Sequence, residues 1–162
     1  MQTLTRAGEG PAFILERFAP FRLSVLANRM TRAVADVYMR RFKLSAPEWR
    51  TMAVLGRFGA MTANGVVERT AMDKVRVSRT VTRLLRSGHI TRRTDPKDRR
   101  RAILDLTAKG LAVYRQIVPK ALAVEAELLA DLTPAERSTF DAIIAKLEGR
   151  ITTAPSESEE EA

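Results

Sequence analysis

The side chains with the most distinctive chemistry are arginines and lysines, and they are concentrated in one stretch. Residues 69–101 hold twelve Lys or Arg and three Asp, whereas the rest of the 162-residue chain holds sixteen basic and sixteen acidic residues. This window, which we call the basic window, therefore carries the whole formal charge of +9. A concentrated basic element is typical of a surface that binds an acidic partner: nucleic acid, an anionic membrane surface or an acidic protein.

Residues for other kinds of chemistry are scarce. The chain has no cysteine, which excludes disulfides, thiolate metal sites and thiol-based redox sensing. His89 is the single histidine, and Ser87 beside it has no obvious acid to orient a catalytic pair. No spacing of ligands suits a metal ion. We therefore expect neither an enzyme nor a protein with a metal or cofactor.

The sequence also lacks the signals of export or membrane insertion. Residues 1–11 are polar, without the charged start and apolar core of a secretory signal. No apolar run approaches the roughly 18 residues that a membrane span needs. A cytoplasmic protein without a membrane partner is the expectation.

The first half of the basic window predicts an amphipathic helix whose arginines point toward the acidic partner. Asp73 can cap its start, and Gly88 is a typical helix-ending residue. Steps of about 100° per residue put Val77, Val81, Leu84 and Leu85 on the face that packs inward. The arginines lie on another face of the helix, and a duplex major groove is wide enough to admit such a helix. The residues predicted to contact DNA from this helix are Arg76, Ser78, Arg79, Thr80 and Arg83. The alternative is an ordinary solvated face.

The second half of the window predicts a hairpin with a basic tip. Residues 90–94 and 102–106 read as strands, joined by the turn residues 95–98. The tip carries Arg99, Arg100 and Arg101, which can enter the minor groove beside the helix. Asp98 has two interpretations: it holds an arginine in position through a charge-assisted hydrogen bond, or it shapes the turn.

Helical elements surround this pair. Apolar residues recur at helical spacing from Phe13 to Phe42, and Ser45 begins a capping box that opens a short helix. Thr62 can cap the helix before the arginine-faced one, Thr107 a long helix to about Leu132, and Thr133 a last helix with an apolar stripe. The predicted fold class is mainly α with a small β-hairpin wing. The expected organisation is a flexible N-terminus (1–12), a helical dimerisation region (13–44 and 107–151), a winged helix-turn-helix lobe (45–106) and a disordered acidic tail (152–162).

Three segments resemble the MarR family of winged-helix transcriptional regulators: residues 72–88, residues 92–101 with an Asp-x-Arg signature, and Leu106-Thr-Ala-Lys-Gly110. In the family these are the recognition helix, the wing and the entry to the dimer helix. The resemblance implies a homodimer that binds a pseudo-palindromic duplex and is released by a small anionic or aromatic effector. We therefore expect a regulator, with a repressor favoured. The rival hypothesis is a sequence-tolerant architectural DNA-binding protein.

The resemblance also implies candidate effector residues. By position, Arg29 is similar to a basic residue that meets a ligand carboxylate in some members, and Trp49 can line the same cleft. The structural alternatives are a salt bridge for Arg29 and a core position for Trp49. Residues 21–29 and 47–50 are similar to members that control aromatic-acid catabolism, including those that answer to hydroxycinnamoyl-CoA thioesters.

Overall fold

The structure is a computed structural model that describes residues 13–153. In that range a short 3-10 helix at Leu15–Arg17 precedes six α-helices: α1 (Ala19–Phe42), α2 (Ala46–Phe58), α3 (Ala63–Thr70), α4 (Lys74–Arg86), α5 (Ala108–Leu128) and α6 (Pro134–Thr153). The three strands are β1 (Met61–Thr62), β2 (Ile90–Thr94) and β3 (Ala102–Leu106). The predicted mainly α fold with a hairpin wing is confirmed. The predicted flexible N-terminus and residues 154–162 of the predicted tail lie outside the described residues.

The chain divides into two compact units, with the boundary inside α5. The first unit ends at Leu122 and contains α1 to α4 and the sheet, and the second begins at Ala123 and contains the end of α5 and α6. In the first unit, α2, α3 and α4 pack against one another and β3 packs against α2. The fully buried core side chains there include Met52, Leu55, Val66, Val77, Leu84, Leu104 and Ile117. Burial of these apolar groups stabilises the packing of the first unit.

The predicted helix caps of the first unit are present. At α2 the Glu48 carboxylate accepts hydrogen bonds from the Ser45 amide at 2.7 Å and from the Ser45 hydroxyl at 2.6 Å. At α3 the Gly65 amide donates to Thr62 Oγ1 at 3.2 Å. The bonds donated by the Ser45 and Gly65 amides satisfy groups that the first helical turn would leave without a backbone partner. These caps set where α2 and α3 begin.

The hairpin lies where the sequence predicts it, and one more strand joins it. β2 and β3 pair antiparallel, with Ile90 opposite Leu106 and Thr94 opposite Ala102. The two-residue β1, which sequence patterning did not predict, pairs with the other edge of β3, so that the order is β1-β3-β2. The added strand ties the start of α3 to the wing.

Several helix boundaries differ from the prediction. α1 begins at Ala19 rather than near residue 13, because Pro20 suits a first helical turn and the preceding residues form the short 3-10 helix. α5 ends at Leu128 rather than near residue 132, and α6 continues to Thr153, two residues into the predicted tail. No described helix is long and apolar enough to cross a membrane.

The second unit repeats the capping chemistry. The Glu136 carboxylate accepts from the Thr133 amide and hydroxyl, each at 2.8 Å, and the Glu136 amide donates back to Thr133 Oγ1. These hydrogen bonds to the charged form, from the backbone first and then the side chain, lower the pKa of Glu136. The predicted capping box at the start of α6 is confirmed.

Gly110, in the first turn of α5, lies directly against the backbone of residue 89. A Cβ atom at position 110 would overlap the His89 carbonyl oxygen, so only glycine allows this approach. A Cβ at Gly149 in α6 would meet nothing within 4 Å.

We predict that Gly110→Ala lowers the free energy of unfolding by about 1–3 kcal/mol, because the added methyl forces α5 away from the His89 carbonyl. Gly149→Ala is the matched control, and it should leave stability unchanged or raise it by up to about 1 kcal/mol. Urea denaturation at equal protein concentration measures both. Equal stabilities for the two variants would contradict the close contact.

Candidate nucleic-acid interface

The apolar side chains of α4 pack in the core, so its basic side chains point outward. Asp73 caps it: the Arg76 amide donates to Asp73 Oδ1 at 2.7 Å. Val77, Val81 and Leu84 are buried in the core. The predicted DNA contacts Arg76, Ser78, Arg79 and Arg83 are all exposed, as are Lys74, Thr82 and Arg86. Four of these exposed side chains on α4 are arginines, so the helix offers both charge and hydrogen-bond donors.

Thr80 is a correction to the predicted contact set. Thr80 is only 5% exposed, and its hydroxyl donates to the Arg76 carbonyl oxygen at 2.8 Å within the same helix. The helical wheel put Thr80 among the arginines, but the inward face is wider than the valines and leucines indicate. Because both its surface and its donor are already used, Thr80 does not reach a duplex.

The burial pattern also shows which side of α4 points most directly outward. The buried residues centre between Val77 and Leu84, and the helix direction opposite to them passes through positions 75, 79, 82 and 86. We call these four side chains the outer ridge. Sequence reasoning found Arg79 but missed Val75, Thr82 and Arg86, because it centred the face on the arginines instead of on the direction opposite the core. The signal that could have identified them is their spacing: positions 75, 79, 82 and 86 are four, three and four residues apart, which places them on one side of a helix.

The tip of the wing is held by hydrogen bonds to its own backbone. Asp98 Oδ1 accepts from the Arg100 amide at 3.0 Å, and Asp95 Oδ1 accepts from the Lys97 amide at 2.9 Å. The Asp98 carboxylate thus acts as a turn residue, which was one of its two predicted roles, and no guanidinium within residues 73–106 pairs with it. The tip arginines Arg99, Arg100 and Arg101 are all exposed.

The wing and α4 lie side by side. Lys74 and Ser78 of α4 line the same hollow, of about 230 Å³, as Arg92 and Ala102 of the hairpin. Arg92, Arg100 and Arg101 also line a neighbouring hollow at the start of α3. On the other flank of α4, Val75, Arg76, Arg79 and Arg83 border a groove of about 440 Å³ with Pro47 of α2 and with Ser45, which caps α2. The two halves of the basic window therefore meet at one hollow, where Lys74 of α4 and Arg92 of β2 both supply a cation.

A hydrogen-bonded junction holds α4 and the wing together. Thr107 donates from its amide to the His89 carbonyl oxygen at 3.0 Å and from its hydroxyl to the Gly88 carbonyl oxygen at 2.7 Å. Lys109 Nζ donates to the Ser87 carbonyl oxygen at 2.7 Å. Gly88 has a φ of +73°, the left-handed conformation that ends α4 as predicted. We call residues 87–89 and 107–110 the junction.

His89 is the buried side chain of the junction. It is 7% exposed, and its Nδ1 lies 2.7 Å from the Ser87 hydroxyl. Burial, together with the nearby Lys109 ammonium, lowers its pKa, and the Glu48 carboxylate opposes this shift. The neutral imidazole is therefore the form that suits the folded junction.

The predicted effector residues lie on α1 and α2. Arg29 is exposed. Trp49 is half-buried in an aromatic stack, with ring centroids 6.0 Å from Tyr38 and 6.1 Å from Tyr114 of α5. Beside it, Arg50 donates to Thr31 Oγ1 of α1 at 3.3 Å. Residues 13–153 contain no cluster of acidic, histidine or cysteine side chains that could hold a metal ion.

Comparison with known proteins finds similarity over the segment that carries α4 and the hairpin. The model of the MarR family matches residues 42–101, which include α2, α3, α4 and the hairpin up to its tip. The uncharacterised HTH-type transcriptional regulator YwoH of Bacillus subtilis is 29% identical over 112 residues, 69% of this chain and 81% of that protein. This agrees with the prediction that the chain is not an enzyme.

Solved structures share the fold over most of the chain. A MarR/EmrR family transcriptional regulator from Acinetobacter sp. ADP1 superposes with a TM-score of 0.80 at 25% identity, covering 88% of this chain and all of that one. Bordetella bronchiseptica BpsR, whose DNA binding is regulated by 6-hydroxynicotinic acid, superposes with a TM-score of 0.65 at 26% identity, covering 78% and 98% of the two chains.

The junction generates a pH prediction. In the unfolded chain His89 takes up a proton near pH 6.5, whereas in the folded chain it does so only at lower pH. The unfolded state then binds more protons in this window, so the free energy of unfolding should fall as pH drops below about 6.5. His89→Gln should remove this part of the pH dependence. Urea denaturation of both proteins at about pH 7.5 and 5.5 measures the difference, and equal losses on acidification would contradict it.

Proposed function

Because the chain belongs to the MarR family of transcriptional regulators, we propose that it is a homodimeric repressor that binds a pseudo-palindromic operator and leaves it when a small aromatic or anionic effector binds. The observation that carries DNA binding is that α4 and the wing, both with exposed arginines, lie side by side and border a shared hollow. α4 enters the major groove, which is wide enough for a helix, and the arginine-tipped wing enters the adjacent minor groove. A regulator of this kind works in the cytoplasm, where the chromosome is.

The charges of the surface are available for DNA. Within residues 73–106 the one ion pair joins Arg76 Nε to Asp73 Oδ2 at 3.8 Å, and both side chains are largely exposed. The remaining guanidinium groups of α4 and the wing can donate to phosphates or base edges without first breaking an internal pair. Phosphate contacts of this kind make binding strongly dependent on salt.

Dimerisation is proposed from exposed apolar side chains on two helices, one in each compact unit. α1 exposes Phe21, Leu23 and Leu26, and α6 exposes Ile143, Ile144 and Leu147. Large exposed apolar side chains favour burial against a partner, and a second copy of the chain can cover both sets symmetrically. We propose that residues 13–44 and 107–151 form the dimerisation region. The two recognition helices would then bind half-sites about 34 Å apart.

The effector proposal uses the α1–α2 surface. Arg29 of α1 supplies an exposed cation for a carboxylate, and the half-buried rings of Trp49 and Tyr114, which stack on each other, supply aromatic surface. BpsR responds to an aromatic acid, which supports the same chemical class here. Aromatic acids and their CoA thioesters are the candidates. The rival function, a sequence-tolerant architectural protein, has the same surface but would not discriminate between DNA sequences.

Selection from randomised duplex DNA at physiological salt separates the two functions. The regulator should enrich one sequence and bind it roughly a thousandfold or more tightly than competitor DNA. An architectural protein would enrich none, and that result would overturn the proposed function.

We predict different effects for the helix and the wing. Arg79→Ala should weaken operator binding by about tenfold or more and relax the preference at one base position of each half-site, because a bidentate contact to guanine is lost. Arg100→Ala should weaken binding to all sequences and lower the salt slope by about one per lost phosphate contact. Fluorescence anisotropy titrations at several salt concentrations measure both. Arg40→Ala on α1 is the control, and unchanged affinities for Arg79→Ala and Arg100→Ala would refute the docking arrangement.

We predict that Arg29→Ala leaves operator affinity unchanged and raises the effector concentration needed for release by tenfold or more, because the carboxylate loses its cation. A thermal-shift screen of 6-hydroxynicotinic acid, hydroxycinnamic acids and their CoA thioesters identifies the ligand to use. Release is then titrated with wild type, Arg29→Ala and the control Arg41→Ala, an exposed arginine near the end of the same helix. Equal sensitivity of all three would remove Arg29 from the effector site.

A further inference from the structure

Val75 is an apolar side chain in the most exposed part of a basic helix. It lies in the first turn of α4 and is 60% exposed, between Lys74 and Arg76, whose side chains are also exposed. It belongs to the outer ridge, four residues before Arg79. Of the four ridge positions, 75 is the one with no hydrogen-bonding side chain.

The core gives no reason for a valine at this position, which borders the open groove beside Pro47. The apolar contact that often fixes a helix start joins the residue before the cap to the fourth helical residue, and here those places hold Met72 and Val77, both buried in the core. β-branched side chains are also less favourable than alanine inside a helix, because they lose side-chain freedom. Val75 therefore costs helix stability without adding a core contact. Its surface is free for a partner.

The position of Val75 points to the base edges rather than to the phosphates. The N-terminal residues of a recognition helix are those that approach the bases in the major groove. An aliphatic side chain gains nothing against a phosphate or a polar base edge, where it only displaces water. The 5-methyl group of thymine is the apolar group that the major groove of unmodified DNA presents.

We infer, on the basis of the proposed function, that Val75 is a specificity-determining residue that contacts the 5-methyl group of a thymine in each half-site. Residues 75 and 79 are separated by about 6 Å along the helix axis, and base pairs are stacked about 3.4 Å apart. The thymine therefore lies within about two base pairs of the guanine that Arg79 contacts. Val75 and Arg79 together then recognise one thymine methyl group and one guanine in each half-site.

The test removes the methyl group from either side of the contact. An operator is selected with the full-length wild-type protein, and each thymine is then replaced in turn by 2′-deoxyuridine, which keeps the hydrogen-bonding edge and lacks the methyl. At one thymine of each half-site, near the guanine, the replacement should weaken wild-type binding about fourfold per half-site, or about 15-fold when both are replaced. Val75→Ala should weaken binding to the unmodified operator by a similar factor and be insensitive to deoxyuridine at that position.

Two comparisons make the outcome decisive. Val75→Thr keeps one methyl group and should retain part of the sensitivity to deoxyuridine. Thr82→Ala, a change on the same ridge two turns along, should leave the full sensitivity in place whatever it does to affinity. If Val75→Ala binds as tightly as wild type, or is weakened but remains sensitive to deoxyuridine at every thymine, the inference is overturned while the proposed function stands. If the wild-type protein selects no sequence, the proposed function fails and the inference fails with it.

Discussion

The interface depends on the hydrogen-bonded junction between the end of α4 and the start of α5. Three carbonyl oxygens at the end of α4, those of Ser87, Gly88 and His89, would be left without partners, and Thr107 and Lys109 donate to all three. Gly110 lets the α5 backbone come close enough for these bonds to form. Since β2 begins at Ile90 and β3 ends at Leu106, the same bonds close the base of the wing. These short-range contacts therefore hold the base of the wing against the end of α4, while β1 and α2 hold the other edge and face of β3.

The acidic residues of the basic window contribute through the backbone rather than by neutralising charge. Asp73 accepts from a helix amide, and Asp95 and Asp98 accept from turn amides. Each carboxylate orders the segment that carries the arginines and, except for the long contact between Asp73 and Arg76, leaves the guanidinium groups unpaired. The preference of Asp for caps and turns explains how three acids can sit in this window without blocking an anionic partner.

Local chemistry was predictable from the sequence, and packing direction was not. The caps at Ser45, Thr62 and Thr133 and the hairpin bounds depend on neighbouring residues, and the structure has them where the sequence indicates. β1 was missed because two residues carry no pattern and its partner, β3, lies some forty positions away in the chain. Thr80 was misplaced because a helical wheel gives relative angles, whereas the extent of the buried face depends on how α4 packs against α2 and α3. The same packing identified Val75 and Arg86 as outward residues.

The start of α5 connects the aromatic stack to the junction. Its first turn forms the junction, and about one turn later Tyr114 stacks on Trp49 and lies so close to Gly56 that a Cβ there would overlap its ring. The junction and Tyr114 both belong to the part of α5 in the first compact unit, and interiors at close-packed density transmit displacement instead of absorbing it. In the proposed regulator, an effector that shifts Trp49 or Tyr114 would therefore displace the start of α5 and, through Thr107 and Lys109, the end of α4 and the base of the wing together. Because the proposed dimer would dock on half-sites at a set separation, a small local shift would be enough to weaken the binding of both protomers.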